Sequence, residues 1–196
     1  MSLTVKETSG PQVPAGTHIA ICFGVVDIGT QPDTGFGEKK KLVIMWELPH
    51  ERMTFDGQEK PMAISRFYGH SLSKKANLRK DLVGWRGREF TAEELQGFEL
   101  KNVLGKPCQV SVVVNENGKS VVDSVVAIPK GMKVEPAFNP LVEYSVDQGR
   151  DGVYLKLPDW LKKCVDQALE NDPERQADAK ADEIEAQAAE EDIVPF

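Results

Sequence analysis

Between residues 70 and 90 the hydrophobic period of this 196-residue chain changes from two to about 3.6 and then reverts. Leu78, Leu82 and Trp85 fall at i, i+4 and i+7, one stripe of a helix with Ser71 or Ser73 as its cap and Gly84 and Gly87 near its end. Upstream, Thr17, Ile19, Ile21, Phe23 and Val25 alternate with His18, Ala20, Cys22, Gly24 and Val26, which predicts a long first strand from Gly16. Small Ala20 and Gly24 on its second face let that strand curl. Leu42, Ile44, Trp46 and Leu48 share one face of a second strand. After a polar excursion containing Pro49, Asp56, Gly57 and Pro61, Met62 to Tyr68 reads as a third. Downstream of the helix, Thr91 and Glu94 form a capping-box pair opening a short second helix that ends near Gly97. Cys108 to Asn115 and Lys119 to Ile128 then read as two strands joined through Asn117 and Gly118, a strong hairpin signal.

Three strands, a helical insert and two strands make a mostly β chain. The order is that of a five-stranded oligonucleotide-binding (OB) barrel with its helix between strands three and four, here over residues 14–130. A generic β-barrel or an α+β sandwich fits the same order. Residues 1–13 read as a flexible polar leader. Residues 131–169 form an extension, rich in Pro and Gly as far as residue 152. It ends in a short amphipathic helix with Trp160, Leu161, Cys164 and Val165, expected to dock on the barrel. Residues 170–196 are an acidic, alanine-rich tail for which disorder is expected.

Charge separates these segments. The net charge of −7 would argue against nucleic acid, but residues 170–196 carry ten acids and two bases, leaving the body at +1. Within the body, residues 62–90 hold seven Lys and Arg against Asp81 and Glu89, a basic patch on a nearly neutral domain. Cys22, Cys108 and Cys164 are far apart with no Cys-x-x-Cys pair, so reduced, mostly buried thiols are expected rather than a disulfide framework or a zinc ribbon. No window approaches the roughly 18 apolar residues of a membrane span, which argues for the cytosol.

A single strand is held by cations along its phosphates and by rings that stack on its bases. Arg66 and Tyr68, on one face of the third strand, are the first candidates. Phe36, framed by Gly35 and Gly37 in the first loop, is a second stacking candidate, whereas Trp46 and Trp85 read as core. Lys39, Lys40, Lys41 and Lys119 sit beside the two hairpin loops; Lys74, Lys75, Arg79, Arg86 and Arg88 supply the basic patch. No catalysis, metal or other cofactor is expected. The Gly35–Lys39 loop lacks the Gly-Lys-Ser/Thr ending of a phosphate loop. Asp33, Glu38 and Lys40 imitate a metal-nuclease set, but both acids lie in one loop instead of converging from separate strand ends. His18, His50 and His70 have no carboxylate or Cys at ligand spacing. The chain ends in Glu190, Glu191, Asp192, Ile193, Val194, Pro195 and Phe196. A terminal Phe offers a ring and a carboxylate together, which suits a partner pocket with an apolar floor and a basic rim.

Two resemblances bear on these residues. The run Leu72-Ser73-x-Lys75-x-Asn77-Leu78-Arg79-Lys80-Asp81-Leu82, with Trp85-Arg86-Gly87-Arg88, Phe90-Thr91, Leu95-x-Gly97-Phe98 and Leu104-Gly105-Lys106-Pro107-Cys108, resembles a group of tailed-bacteriophage proteins. These are regarded as single-stranded-DNA-binding, replication-protein-A-like proteins with an OB fold. The likeness covers roughly residues 14–130 and is specific in its middle third. The ending resembles the acidic tip of bacterial single-stranded-DNA-binding proteins, which closes in Ile-Pro-Phe; here Val194 intervenes between Ile193 and Pro195. Together they imply a protein of phage replication and recombination in the bacterial host cytoplasm. It would coat single-stranded DNA and recruit replication or recombination proteins through Asp192 to Phe196. A polyanionic tail on a tether is also expected to compete with DNA for the basic groove when DNA is absent. The alternatives are an interaction module that sequesters a host replication enzyme without binding DNA, and a strand-annealing protein. The sequence leaves the oligomeric state open.

Overall fold

The computed structural model describes residues 12–32, 35 and 37–173. Its elements follow in the order β1 (Gly16–Gln31), β2 (Lys39–Phe55), β3 (Gln58–Gly69), α1 (Asn77–Arg86), α2 (Ala92–Gln96), β4 (Pro107–Val114), β5 (Ser120–Val126), β6 (Val142–Ser145), α3 (Gly152–Lys156) and α4 (Asp159–Asp166). The strands form one sheet of order β3-β2-β1-β4-β5, with β6 added to β1. The β1–β4 and β4–β5 pairs are antiparallel, Ala20 lying opposite Cys108 and Ser111 opposite Ser124.

The helical insert lies between β3 and β4, as its period predicts. The sheet, however, is not closed into the expected barrel: β3 and β5 are the two ends of its main path. At the end of β5 the chain bonds to α1 instead, Ala127 N–H donating to the Gly84 carbonyl at 2.9 Å. That approach requires glycine. A Cβ on Gly84 would stand 2.5 Å from the Val125 carbonyl oxygen. Gly84→Ala is expected to destabilise the protein by about 1–3 kcal/mol through overpacking, despite a helix-propensity gain of about 1 kcal/mol. An unchanged urea midpoint would contradict this account of the helix–strand contact.

The chain divides into two compact units, Met1–Val25 with Val43–Val142, and Val26–Leu42 with Glu143–Phe196. β1 and β2 run through both. In the first unit Ile21, Ile44, Trp46, Leu48, Leu82 and Val110 are almost completely buried. The rings of Trp46 and Trp85 lie 6.0 Å apart, and the Trp85 indole N–H donates to the Pro107 carbonyl at 2.8 Å. Both tryptophans are core residues, as expected. Glu47, 1% exposed on β2, accepts from the Phe138 N–H at 2.6 Å, the Asn139 N–H at 2.8 Å and the Asn139 amide at 2.7 Å, which pins the chain after β5.

In the second unit the expected short amphipathic helix is α4, with Leu161 and Val165 buried and Trp160 exposed. β6 lies where the Pro- and Gly-rich composition predicts loop, and α3 follows directly after that stretch. The Asp151 side chain caps α3 by accepting from Val153 and Tyr154 N–H, and the Tyr144 hydroxyl donates to the Gly149 carbonyl. Glu170 accepts from the Thr30 amide and hydroxyl, tying the end of the described chain to β1.

Two strand boundaries differ from expectation. Asp56 and Gly57, both at positive φ (49° and 75°), form a two-residue turn that joins β2 and β3 into one long hairpin. The cap of α1 also differs. Its N-cap is Ala76, without a side-chain bond, while the Ser71 hydroxyl accepts from Ser73 N–H. Gly87 ends α1 in the left-handed conformation (φ 66°).

Candidate nucleic-acid interface

The period-two rule separates the faces of β3. Met62, Ile64 and Tyr68 point inward and are buried, and Ala63, Phe67 and Gly69 are exposed. Tyr68 is 2% exposed, so its ring faces are covered and stacking on a base is excluded in this conformation. Its hydroxyl donates to Asp81 at 2.7 Å. Arg66 pairs with the same Asp81 oxygen at 3.0 Å, donates to the Asp123 carbonyl at 2.7 Å, and lies 5.4 Å from the Tyr68 ring centroid. Asp81 is buried, which pushes its carboxyl pKa up against the opposing pull of the Tyr68 hydrogen bond and Arg66. Burial and the Asp81 charge likewise push the Tyr68 hydroxyl up. Arg66 and Tyr68 thus form an internal latch among β3, α1 and β5 instead of the exposed pair expected.

The other arginines of the basic patch are also engaged. Arg79 reaches Glu89 at 3.2 Å. Glu94, the capping-box residue of α2, accepts from Arg88 at 2.7 Å and from the Thr91 N–H at 3.0 Å, and pairs with Arg86. The Arg86 guanidinium lies 4.4 Å from the Phe90 ring centroid and 5.0 Å from that of Phe98, and its Nη1 is buried without a hydrogen-bond partner among the described residues. The Arg88 hydrogen bond, followed by that from the Thr91 amide, holds the Glu94 carboxyl at about 2, against an ordinary 4.5. A depressed carboxyl pKa stabilises the fold fully above the unfolded value and loses that contribution as pH falls through the folded one. The difference in urea midpoint between wild type and Glu94→Gln is therefore expected to be largest above pH 4.5 and to shrink towards pH 2. A difference that holds constant across that range would refute the assignment.

The lysines stand differently. Lys74 and Lys75 are exposed in the turn before α1, and Lys119 is exposed in the β4–β5 turn. That turn is ordered by the Asn115 side chain, which accepts from Asn117 and Lys119 N–H. In the second unit Lys39 is exposed, Lys41 is half-buried, and Lys40 pairs with Asp27 at 3.2 Å. Phe36 and the tip residues Asp192, Ile193, Val194, Pro195 and Phe196 lie outside the described residues, as does the expected competition between tail and DNA.

Two aromatic residues not singled out in the sequence stand on the β2–β3 hairpin. Phe55, 56% exposed at its tip, has the Lys60 ammonium 5.8 Å from its ring centroid. Phe67 is 50% exposed on the outer face of β3. The signals were present: Phe67 is out of phase with Met62 and Ile64, and Asp56-Gly57 marks the turn beside Phe55. Arg52, paired with Glu59 at 3.6 Å, adds a partly exposed guanidinium to the same hairpin.

A separate cavity of about 480 Å³ opens between the end of α1, α2 and the start of β4, lined among others by Trp85, Arg86, Arg88, Phe98 and Lys106. Cys22 and Cys108 are buried thiols, Cys22 pushed up to about 12 by burial, and Cys164 is half-buried. Among the described residues no group of three or more His, Cys, Asp or Glu is placed to hold a metal ion, and no helix is long and apolar enough to cross a membrane. The chain matches no known family, no curated protein and no solved structure.

Proposed function

We propose that this chain is a phage-type single-stranded-DNA-binding protein. It coats transient single strands during replication and recombination with low sequence preference, and protects them from nucleases and reannealing without chemistry of its own. The observation that carries this reading is the β2–β3 hairpin with two half-exposed phenylalanines, Phe55 and Phe67, and the cation Lys60 beside the first. Partly exposed rings on a hairpin that also carries cations are what sequence-tolerant single-strand binding uses. The fold adds support: the order β3-β2-β1-β4-β5 with a helical insert between β3 and β4 is compatible with an OB arrangement left open between β3 and β5. In that family strands two and three face the nucleic acid. Lys74 and Lys75, exposed just beyond β3, extend the cationic track. The tip Asp192 to Phe196 recruits replication or recombination enzymes.

One observation favours a second reading. Arg66, Arg79, Arg86 and Arg88 all face carboxylates, so much of the basic patch is internally neutralised. A body that binds no DNA and serves to display a tip that sequesters a host enzyme would tolerate that. A strand-annealing role would show itself as accelerated pairing of complementary strands.

The deciding experiment is fluorescence anisotropy of a labelled thymidine oligomer across a salt series, with duplex of equal length as competitor. Binding that weakens with salt, with a log–log slope of about 0.7 per phosphate neutralised, supports the single-strand reading. No binding at low salt, by the intact chain and by one lacking residues 170–196, leaves the sequestering module.

A further inference from the structure

The hollow beside α2 has a chemistry of its own. Its volume, about 480 Å³, falls in the roughly 300–1,000 Å³ range of small-ligand sites. Trp85, Phe98 and Pro107 give it ring-bearing, largely covered walls, whereas Arg88 and Lys106 are exposed cations. Asn102 adds an amide able both to donate and to accept. Glu94 is the one carboxylate in the lining, and it is already shared between Arg86 and Arg88. Lys106 has no ion pair among the described residues, so the lining keeps an excess of positive charge. A flat ring carrying an anion satisfies walls and rim together, and neither an apolar molecule nor a bare anion does.

We infer that this pocket is a subsite for one nucleotide, its base against Phe98 and Pro107 and its phosphate on Arg88 and Lys106. The choice of a nucleotide over another aromatic anion rests on the single-strand reading; the demand for a ring joined to an anion comes from the pocket itself. A strand engaged on the β2–β3 hairpin meets half-exposed rings, whereas here one base would sit in a hollow whose lining includes the Asn102 amide.

The test is calorimetric titration of the full-length protein with thymidine 5′-monophosphate, thymidine, inorganic phosphate, and a peptide of sequence Asp192–Phe196 with a free C-terminal carboxylate. Concentrations run to about 10 mM, past the millimolar limit of weak binding. The monophosphate is expected to bind at least about tenfold more tightly than thymidine or phosphate, since a charge-assisted hydrogen bond is removed in one case and the ring contact in the other. Lys106→Gln, at an exposed side chain, is expected to weaken the monophosphate about three- to tenfold with an unchanged circular dichroism spectrum. Phe98→Ala should weaken it by a similar factor; because Phe98 also packs on Phe90, Lys106→Gln is the deciding variant. A monophosphate no tighter than phosphate, or one indifferent to Lys106→Gln, overturns the subsite. So does binding of the peptide in place of the monophosphate, which would make the pocket a receptor for a C-terminal Phe. If thymidine oligomers bind and the monophosphate does not, the pocket assignment fails while the single-strand reading stands. If the monophosphate binds and oligomers do not, the reverse holds.

Discussion

Asp81→Ala is expected to lower stability by about 3 kcal/mol or more, the largest single-site effect we foresee. Asp81 is 4% exposed and serves three donors, the Tyr68 hydroxyl at 2.7 Å, Arg66 at 3.0 Å and the Val125 backbone N–H. Removing the carboxylate leaves a phenol without an acceptor in the core. It also leaves a guanidinium, only 22% exposed, with the Asp123 carbonyl as its remaining partner. Asp81→Asn behaves differently. The carboxamide still accepts from Tyr68, and burial already disfavours the charge it replaces, so a cost of about 1 kcal/mol is expected. Tyr68→Phe removes one hydrogen bond and should cost about 1–2 kcal/mol. Urea unfolding followed by circular dichroism ranks the three. A wild-type midpoint in Asp81→Ala would show that the carboxylate carries no latch.

The second large effect concerns affinity. Phe55→Ala and Phe67→Ala each remove an exposed ring, and base stacking is worth about 1–3 kcal/mol per ring. At the middle of that range each substitution weakens oligomer binding more than tenfold, and the double variant by about 100-fold or more. Stability should move by about 0.5 kcal/mol or less per site, because neither ring is fully buried. The salt slope separates the two kinds of contact. Rings carry no charge, so the double variant keeps the wild-type slope, whereas Lys74→Gln with Lys75→Gln lowers it by about 1.4. Wild-type affinity in the double variant would remove the hairpin from the interface.

Local signals in the sequence translated well. The Leu78, Leu82, Trp85 stripe became α1, the Thr91–Glu94 pair became a true capping box, and Asn117-Gly118 became a hairpin turn. Each depends on residues within one turn or one hairpin of each other. Asp56-Gly57 carried the same kind of signal, but Pro49 and Pro61 on either side made the region look like loop. Both prolines sit inside strands, Pro61 on the edge strand β3, where a missing N–H is tolerated.

Contacts made at a distance stayed hidden. A run of basic residues gives no sign of which are already paired, and Asp81 reaches Arg66 and Tyr68 only because α1 folds back on β3. β6 and α3 were invisible because a four-residue strand and a five-residue helix carry almost no period of their own. Tyr68 is aligned with Met62 and Ile64 and shares their buried face, whereas Phe67 lies on the other.

The open edge between β3 and β5 has a mechanical meaning. Elsewhere neighbouring strands are sewn together by rows of amide bonds, which part only as a row. Here the join is a clasp made by Arg66, Asp81 and Tyr68, and it is released by breaking a few side-chain bonds. Breathing of the fold is expected to concentrate on that line. Hydrogen exchange in β3 and β5 should quicken together in Asp81→Ala while amides of the β1–β4 pair keep their protection.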